Sequence, residues 1–504
     1  MSQSNLAEAV VDAAARAADP AISSDGSRFD AASFSQLSER VAQTESFNHQ
    51  VSVTIEQLVN AMLELRERRM PSLAAGASES SQVPTTELAA LKAKVSELEQ
   101  QLNYERTVAD LAEVSRMHEK TRSVVFVGNT YFGDNLKYAF LECFRKAKER
   151  GFSCWFMPHT EEQERFVRGL SAPCFPQAWE QWTAEHVTTA LSAAVVVTSD
   201  HLLHPNPFAL PLFAGARHVQ LWHGVSIKEI GLRSVGPLKN FSPHLARVLR
   251  TAGNYAAMVG TAQSGEAEWR RWFGFERYAP IGYPRNDVLY REPTAHDLLN
   301  VDRDAYRCAE AARASGERVI LWAPTFRDVN RVKWILEAGL PKIACEFAKA
   351  GHCLIINLHP VEQPAVPELR KAFPQVSFVS ARTDIYPLLS RCDVLVTDYS
   401  SVMFDWLHLQ RPVVLYRPDH EDYTQRNRKL FDEKLRALPG PTVATAERLI
   451  ATLCTAEPPS TTEFEAVRKE LLGRWFDRHD GGSAERFVDL VVEEIERADP
   501  YFTT

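Results

Sequence analysis

Two histidines, three hydroxyl side chains and two arginines of this chain stand where short apolar runs give way to polar turns. "QLWHGVSIKEIG" places His223 directly after the run at 219–222, and "LIINLHP" places His359 before Pro360, which ends a ladder. An imidazole there can accept a proton near neutral pH, as a general base must. "LWAPTFRD" adds Thr325 and Arg327, and "IGYPRNDVL" adds Arg285 on a Pro-set turn; guanidinium binds phosphate bidentately. In "VTDYSSVMFDW" Ser400 and Ser401 fall where a strand at 394–397 becomes a helix carrying Asp405. Hydroxyls beside unpaired backbone N–H groups at a helix start can seat a phosphate. Each motif also has a plainer reading: a core or turn histidine, an Arg285–Asp287 or Arg327–Asp328 pair, ordinary N-capping by serine, with Asp398 shaping the turn.

The elements that must carry these residues are strands and helices in alternation. "SVVFVGNTYFGDN" runs from a strand into a Gly/Asn/Asp turn, and "LKYAFLECFRKAKERG" follows as an amphipathic helix ending at Gly151. "CWFMP", "AAVVVTSD", "HVQLWHG" and "YAAMVGTA" read as further strands, then "RVILWAPTF", "HCLIINLHP", "VSFVS", "DVLVTDYSS" and "PVVLYRP". Ten such runs separated by helical segments predict an α/β fold with parallel sheets covered on both faces. Two doubly wound domains facing a cleft accommodate them, 119–285 and 286–504, with "SAERFVDLVVEEIERAD" crossing back as the terminal helix. Ligands of such sheets bind beyond the carboxyl ends of the strands, where the motifs lie.

Residues 1–84 read as a partly disordered or helical region closed by the linker "PSLAAGASESSQVPTT". Leu88, Leu91, Val95, Leu98 and Leu102 recur at heptad spacing, so 85–118 reads as a short coiled coil for self-association, or one amphipathic helix packed on its own protein. The 504 residues, 45% hydrophobic and 24% charged, suggest two or three globular domains. A net charge of −8 gives no global attraction to nucleic acid. Eight cysteines without a CxxC pair read as reduced thiols, and no secretion signal or membrane span is evident, so a cytoplasmic location is expected. GxGxxG, P-loop, G-x-S-x-G and metal-ligand patterns are absent, so neither metal nor cofactor is expected.

Taken in order, "LWHGVSIKEIG", "GYPRNDVL", "APTFRD", "LHP" and "VTDYSSVMFDW" resemble the blocks of the CDP-glycerol glycerophosphotransferase family, over about residues 120–480. The resemblance implies a GT-B-like fold of two Rossmann-like domains. It implies transfer of glycerol phosphate, or a related polyol or sugar phosphate, from a CDP donor to a polymer or lipid-linked acceptor in teichoic-acid-like or capsule synthesis, with release of CMP. It further implies His223 as base for the acceptor hydroxyl and His359 as the histidine meeting the donor phosphate. Contacts to CDP-glycerol are implied for Gly224, Val225, Ser226, Ile227, Arg285, Pro324, Thr325, Asn357, Leu358, Ser400, Ser401 and Asp405, with Lys228 and Arg327 as phosphate contacts. Two departures fall on the polyol or acceptor side. Val225 to Lys228 replace the family's Thr-Pro-Leu-Lys run, and Asn357 replaces a usual basic residue. Lipid-linked acceptors imply peripheral contact with the cytoplasmic face of the inner membrane, for which "ARVLRTAG" and "EAEWRRWFGFER" are the basic amphipathic candidates, with ordinary helix surface as the alternative.

Two rival readings remain: a GT-B nucleotide-sugar glycosyltransferase, and a non-catalytic scaffold working through its coiled coil. Donor nucleotide separates the polyol-phosphate transferase from the glycosyltransferase, because a ligand that binds the native state raises its stability by mass action. A rise in melting temperature with CDP, and none with UDP or GDP compounds, is the expected outcome.

Overall fold

The apolar runs fold into two six-stranded sheets in which every pairing is parallel. The computed structural model describes residues 106–200, 209–226, 255–325, 333–421, 437–455 and 462–498, with single positions between these stretches. The first sheet contains β1 (Thr121–Val127), β2 (Ser153–Met157), β3 (Ala193–Thr198), β4 (Arg217–Gln220), β5 (Tyr255–Val259) and β6 (Phe275–Ala279), in the order β2-β1-β3-β4-β5-β6. The second contains β7 (Arg318–Ala323), β8 (His352–Ile356), β9 (Val376–Phe378), β10 (Val394–Thr397), β11 (Val413–Tyr416) and β12 (Thr442–Val443), in the order β12-β11-β10-β7-β8-β9.

Burial explains why these strands read as unbroken apolar runs. All six residues of β3 are buried, as a strand covered on both faces requires. On β7, Val319, Leu321 and Ala323 join one apolar cluster while Ile320 and Trp322 join another on the opposite face. The first cluster is continuous through both sheets, from Phe126 to Leu395 and Phe487.

Ten strands lie where the sequence pattern puts them, and two do not announce themselves. β6 is an edge strand whose Glu276 is exposed, and β12 has two residues; neither carries a sustained apolar run. β6 also bears on one membrane candidate. "EAEWRRWFGFER" is a short helix, Glu266–Trp272, followed by a turn into β6, and its tryptophans are turned inward. Trp269 and Trp272 are buried with Trp222, Tyr255 and Phe273, so these indoles pack in the core. "ARVLRTAG", residues 1–84 and the heptad positions Leu88, Leu91, Val95, Leu98 and Leu102 lie outside the described residues. No helix among the described residues is long and apolar enough to cross a membrane.

Three helices hold the site in place: α1 (Asp134–Lys146), α2 (Val402–Trp406) and α3 (Ser483–Ala498). From α1, Lys137 Nζ meets Asp384 Oδ2 in the loop after β9 at 2.7 Å, with both side chains fully buried. Tyr138 Oη donates to the same oxygen at 2.8 Å. These bonds tie the first sheet's helix to the second sheet's loop. α3 packs back on the first sheet: Phe487 lies against Phe126, and the buried Glu494 accepts from Arg217 on β4. The start of α3 is fixed by Asp287, whose carboxylate accepts from the amides of Ser483 and Ala484. Asp287 therefore caps a helix and is not the partner of Arg285.

The segment between the sheets is braced by the buried His408. Asn286 Nδ2 donates to His408 Nε2 at 3.0 Å, so the ring proton is on Nδ1, which faces Tyr290 Oη at 2.6 Å. Burial, with the charges of His479 and Arg285, pushes its pKa down to about 3 from an ordinary 6.5. The unfolded chain therefore binds this proton first as pH falls, and the contribution present above pH 6.5 is lost progressively down to about pH 3. Urea midpoints measured from about pH 7.5 down to about pH 4.5 are expected to fall, with this histidine contributing at most about 1.4 kcal/mol per pH unit. His408→Asn is expected to flatten that slope.

Candidate active site

Strand order reverses between β1 and β3 in the first sheet and between β7 and β10 in the second. These are the places where an α/β sheet opens a crevice. The loops leaving β1, β4, β7, β8, β9 and β10 enclose a cavity of about 600 Å³. His223, Gly224, Val225, Ser226, Arg285, Pro324, Thr325, Asn357, Leu358, His359, Ser400, Ser401 and Asp405 all line it. Arg327 does not, and Ile227 and Lys228 lie outside the described residues.

His223 is held by a strained turn. β4 ends at Gln220, two residues before the apolar run does, because Trp222 turns left-handed at φ 53° and Gly224 follows at φ 150°. Such backbone persists only where its surroundings over-determine it. Here Gln220 Oε1 accepts from Trp222 N, and Asn135 Nδ2 donates to Trp222 O, each at 2.9 Å. The indole then stacks on the imidazole, with ring centroids 4.3 Å apart. His223 Nδ1 lies 3.2 Å from the carbonyl oxygen of Ser199. A carbonyl only accepts, so this bond requires the proton on Nδ1 and leaves the Nε2 lone pair available as a base. Ser199 is steadied by Asn129 Nδ2, which donates to its Oγ at 3.0 Å.

Gly224 lets this turn touch the second sheet. A Cβ there would stand 3.3 Å from both Ser401 Oγ and Arg285 Nη2, on a backbone that side chains other than glycine disfavour. Tyr283 Oη donates to Gly224 O at 3.1 Å and fixes the peptide from behind.

Arg285 joins these parts. Its Nη1 bonds Asp134 Oδ1 and the carbonyl of His223, both at 2.7 Å, and its Nη2 meets Asp405 Oδ2 at 2.8 Å. Nε reaches Asp405 Oδ1 at 3.2 Å, and the guanidinium lies 5.0 Å from the ring of Tyr283 and 4.8 Å from that of Tyr386. Burial alone would lower its pKa, but Asp134 and Asp405 hold it well above the ordinary value, so it stays charged. Every nitrogen is engaged by the protein, so Arg285 reaches the cavity wall as a neutralised cation and not as an open phosphate fork. Arg327 is similarly occupied, paired with Asp398 at 2.9 Å and Asp419 at 2.6 Å behind the wall. Asp398 Oδ1 also accepts from the amides of Thr325 and Tyr399, which links the loops after β7 and β10.

Thr325, Ser400 and Ser401 line the cavity as well. Ser401 is not a cap: it has helical dihedrals and makes no side-chain bond to α2, which at five residues has little dipole to offer. Thr325 Oγ1 is buried and has no hydrogen-bond partner. A buried unsatisfied hydroxyl costs about 1–3 kcal/mol, a cost removed when a ligand atom bonds it.

Tyr131, Asp134, Arg382 and Tyr386 also line the cavity, and the sequence reading does not single them out. Tyr131, Asp134, Asn129 and Asn135 belong to "GNTYFGDN", read there as a turn. Burial first, then Asp134 and Asp384, raise the Tyr131 phenol well above its ordinary pKa and keep it a donor.

A family model described as CDP-glycerol:poly(glycerophosphate) glycerophosphotransferase matches residues 116–493. The teichoic acid poly(glycerol phosphate) polymerase of Bacillus subtilis is 28% identical over 309 residues, which cover 57% of this chain and 38% of that protein. The glycerol-phosphate primase of the same organism is 27% identical over 282 residues, 55% of this chain and 68% of the relative. The poly(ribitol-phosphate) polymerase of Bacillus spizizenii is 28% identical over 300 residues, 57% of this chain and 45% of the relative. The chain thus spans only part of the length of these polymerases. Among solved structures, the wall teichoic acid polymerase TagF superposes with TM-score 0.57 at 19% identity, covering 80% of this chain and 98% of the other, which shows a shared GT-B-like fold.

Removing Arg285 would leave Asp134 and Asp405 facing each other without a counter-charge. Arg285→Met is expected to cost about 3–5 kcal/mol of unfolding free energy, as for a buried ion pair that loses one partner. Urea denaturation of the purified variant measures it.

Proposed function

We propose that this chain, which belongs to the CDP-glycerol:poly(glycerophosphate) glycerophosphotransferase family, transfers a polyol phosphate from a CDP-activated donor to a hydroxyl of a growing teichoic-acid-like polymer. The observation that carries the reading is the pairing, in one cavity, of an imidazole whose Nε2 lone pair is free with a buried hydroxyl, Thr325 Oγ1, that has no protein partner. It is supported by relatives named as glycerol-phosphate polymerase and primase, and by a TagF structure described as soaked with CDPG. Relatives named for ribitol phosphate stand beside them, so the reading commits to a polyol phosphate and not to one polyol.

In this reading His223 Nε2 takes the proton of the acceptor hydroxyl as its oxygen bonds the β-phosphorus of the donor. The bridging P–O bond to CMP breaks, and its electron pair leaves with CMP. The Nδ1–H bond to the Ser199 carbonyl strengthens as the ring becomes cationic, which favours the transfer. Thr325, Ser400 and Ser401 hydroxyls and His359 stabilise the phosphoryl oxygens and the leaving group. The reading requires no metal cofactor, and chelation by EDTA is expected to leave the rate intact. Peripheral membrane contact, self-association through 85–118 and a capsule rather than wall polymer are finer parts of the proposal that rest on sequence alone.

Purified protein incubated with CDP-glycerol or CDP-ribitol and a glycerophosphate-primed acceptor is expected to release CMP. His223→Ala is expected to lower kcat by about 10²- to 10⁴-fold, the range for a general base, with a smaller effect on donor binding. No CMP from any CDP-polyol would sink the function, and full rate in His223→Ala would sink the base.

A further inference from the structure

If an anionic donor enters this cavity, a cation should meet it, and both arginines singled out by the sequence are already neutralised. Among the described residues, the charged side chains lining the cavity, apart from its histidines, are Asp134, Arg285, Asp405 and Arg382. Arg285 is already paired with Asp134 and Asp405, so it offers no net positive charge to a diphosphate. Among the described residues Arg382 is the remaining cation of this lining, and none of their carboxylates pairs with it.

Its loop is built to present it. Arg382 adopts a left-handed backbone, φ 57°, which a residue with a Cβ disfavours. That conformation is pinned from both sides and at its own carbonyl. Ser380 N donates to Asp302 Oδ2 at 2.7 Å, Asn300 Nδ2 to Arg382 O at 2.9 Å, and Asp384 N to Asn300 O at 2.7 Å. Asp384 is in turn locked to Lys137 on α1. The charge of Arg382, after burial, contributes to lowering the pKa of His159 beyond β2. Strained backbone held by its surroundings marks a residue placed for a purpose other than packing, and Arg382 is exposed to solvent.

We infer that Arg382 is a substrate-binding residue, the guanidinium that receives a phosphate oxyanion in the cavity between the two sheets. The inference rests on the proposed transfer of a polyol phosphate. The oxyanion belongs either to the donor diphosphate or to the terminal phosphodiester of the acceptor, and the same chemistry serves both.

The test compares the wild-type full chain with Arg382→Gln, Arg382→Lys and Arg382→Gly, and with Arg307→Gln as a remote control, since Arg307 is exposed and pairs with Asp304 on its own helix. Arg382→Gln is expected to raise one KM by about tenfold to a hundredfold, the worth of one charge-assisted hydrogen bond, with kcat and melting temperature nearly unchanged. A rise in donor KM assigns the contact to the diphosphate, and a rise in acceptor KM assigns it to the polymer end. Arg382→Lys is expected to recover most of the loss. Arg382→Gly, which relieves the backbone, is expected to melt no lower than wild type yet bind as poorly as Arg382→Gln. Both KM values unchanged in Arg382→Gln, or a loss explained by a lower melting temperature in Arg382→Gly, would overturn the assignment. If the wild type releases no CMP, the function fails separately. Calorimetric titration with CDP and with glycerophosphoglycerol then decides, since equal affinities in wild type and Arg382→Gln for both probes overturn the assignment without any turnover.

Discussion

The site depends on one buried cation. Arg285 is bound by the carboxylates of Asp134 from the first sheet and Asp405 from the second, and by the carbonyl of the proposed base, His223. A lone guanidinium would be costly in such surroundings, and so would either carboxylate, so the three stay together or the cavity does not form. Because the pair spans both sheets, the same interaction that satisfies a buried charge also sets the distance between the His-Gly turn and the serine loop. Lys137 with Asp384 repeats this arrangement nearby. Two fully buried ion pairs crossing one crevice favour a fixed cavity over one that assembles by wide hinge motion, since opening would expose four charges from their partners at once.

Fixation explains the strain at the base. Trp222 is left-handed and bulky, and it is bracketed by Gln220 and Asn135. Asn135 also accepts from the amide of Arg285, so the turn that carries His223 and the cation that braces it share one side chain. The Ser199 carbonyl then selects the tautomer with no carboxylate involved. A carbonyl polarises the imidazole less than a carboxylate does, and it adds no negative charge where an anionic donor must approach.

Much of this was legible in the amino-acid order because parallel strands buried on both faces must be apolar throughout, and ten of them, such as "AAVVVTSD" and "DVLVTDYSS", are. The polar residues that end them at the strand-order reversals line the cavity for the same topological reason. Partners were not legible. The resemblance implies a donor contact for Asp405; its bond to Arg285 joins positions 120 apart, and no local period encodes that. Asp287, the neighbour that seemed available to Arg285, is occupied by the amides of a helix almost two hundred residues downstream. Arg382 is an exposed arginine in a polar loop; its backbone angle, and the lack of a carboxylate partner among the described residues, distinguish it.

The way the charges are arranged bears on catalysis. A cavity lined with unpaired cations would hold donor and nucleotide product tightly alike, and uniform binding of that kind does nothing for the chemical step. Here Arg285 is offset by two carboxylates, and the groups proposed to bond phosphoryl oxygens are neutral hydroxyls and the exposed Arg382, which has no carboxylate partner among the described residues. Fixed dipoles aimed at oxygens that gain charge only during transfer stabilise that charge without reorganising. In the proposed reading Thr325 Oγ1, buried without a partner, is a dipole of this kind.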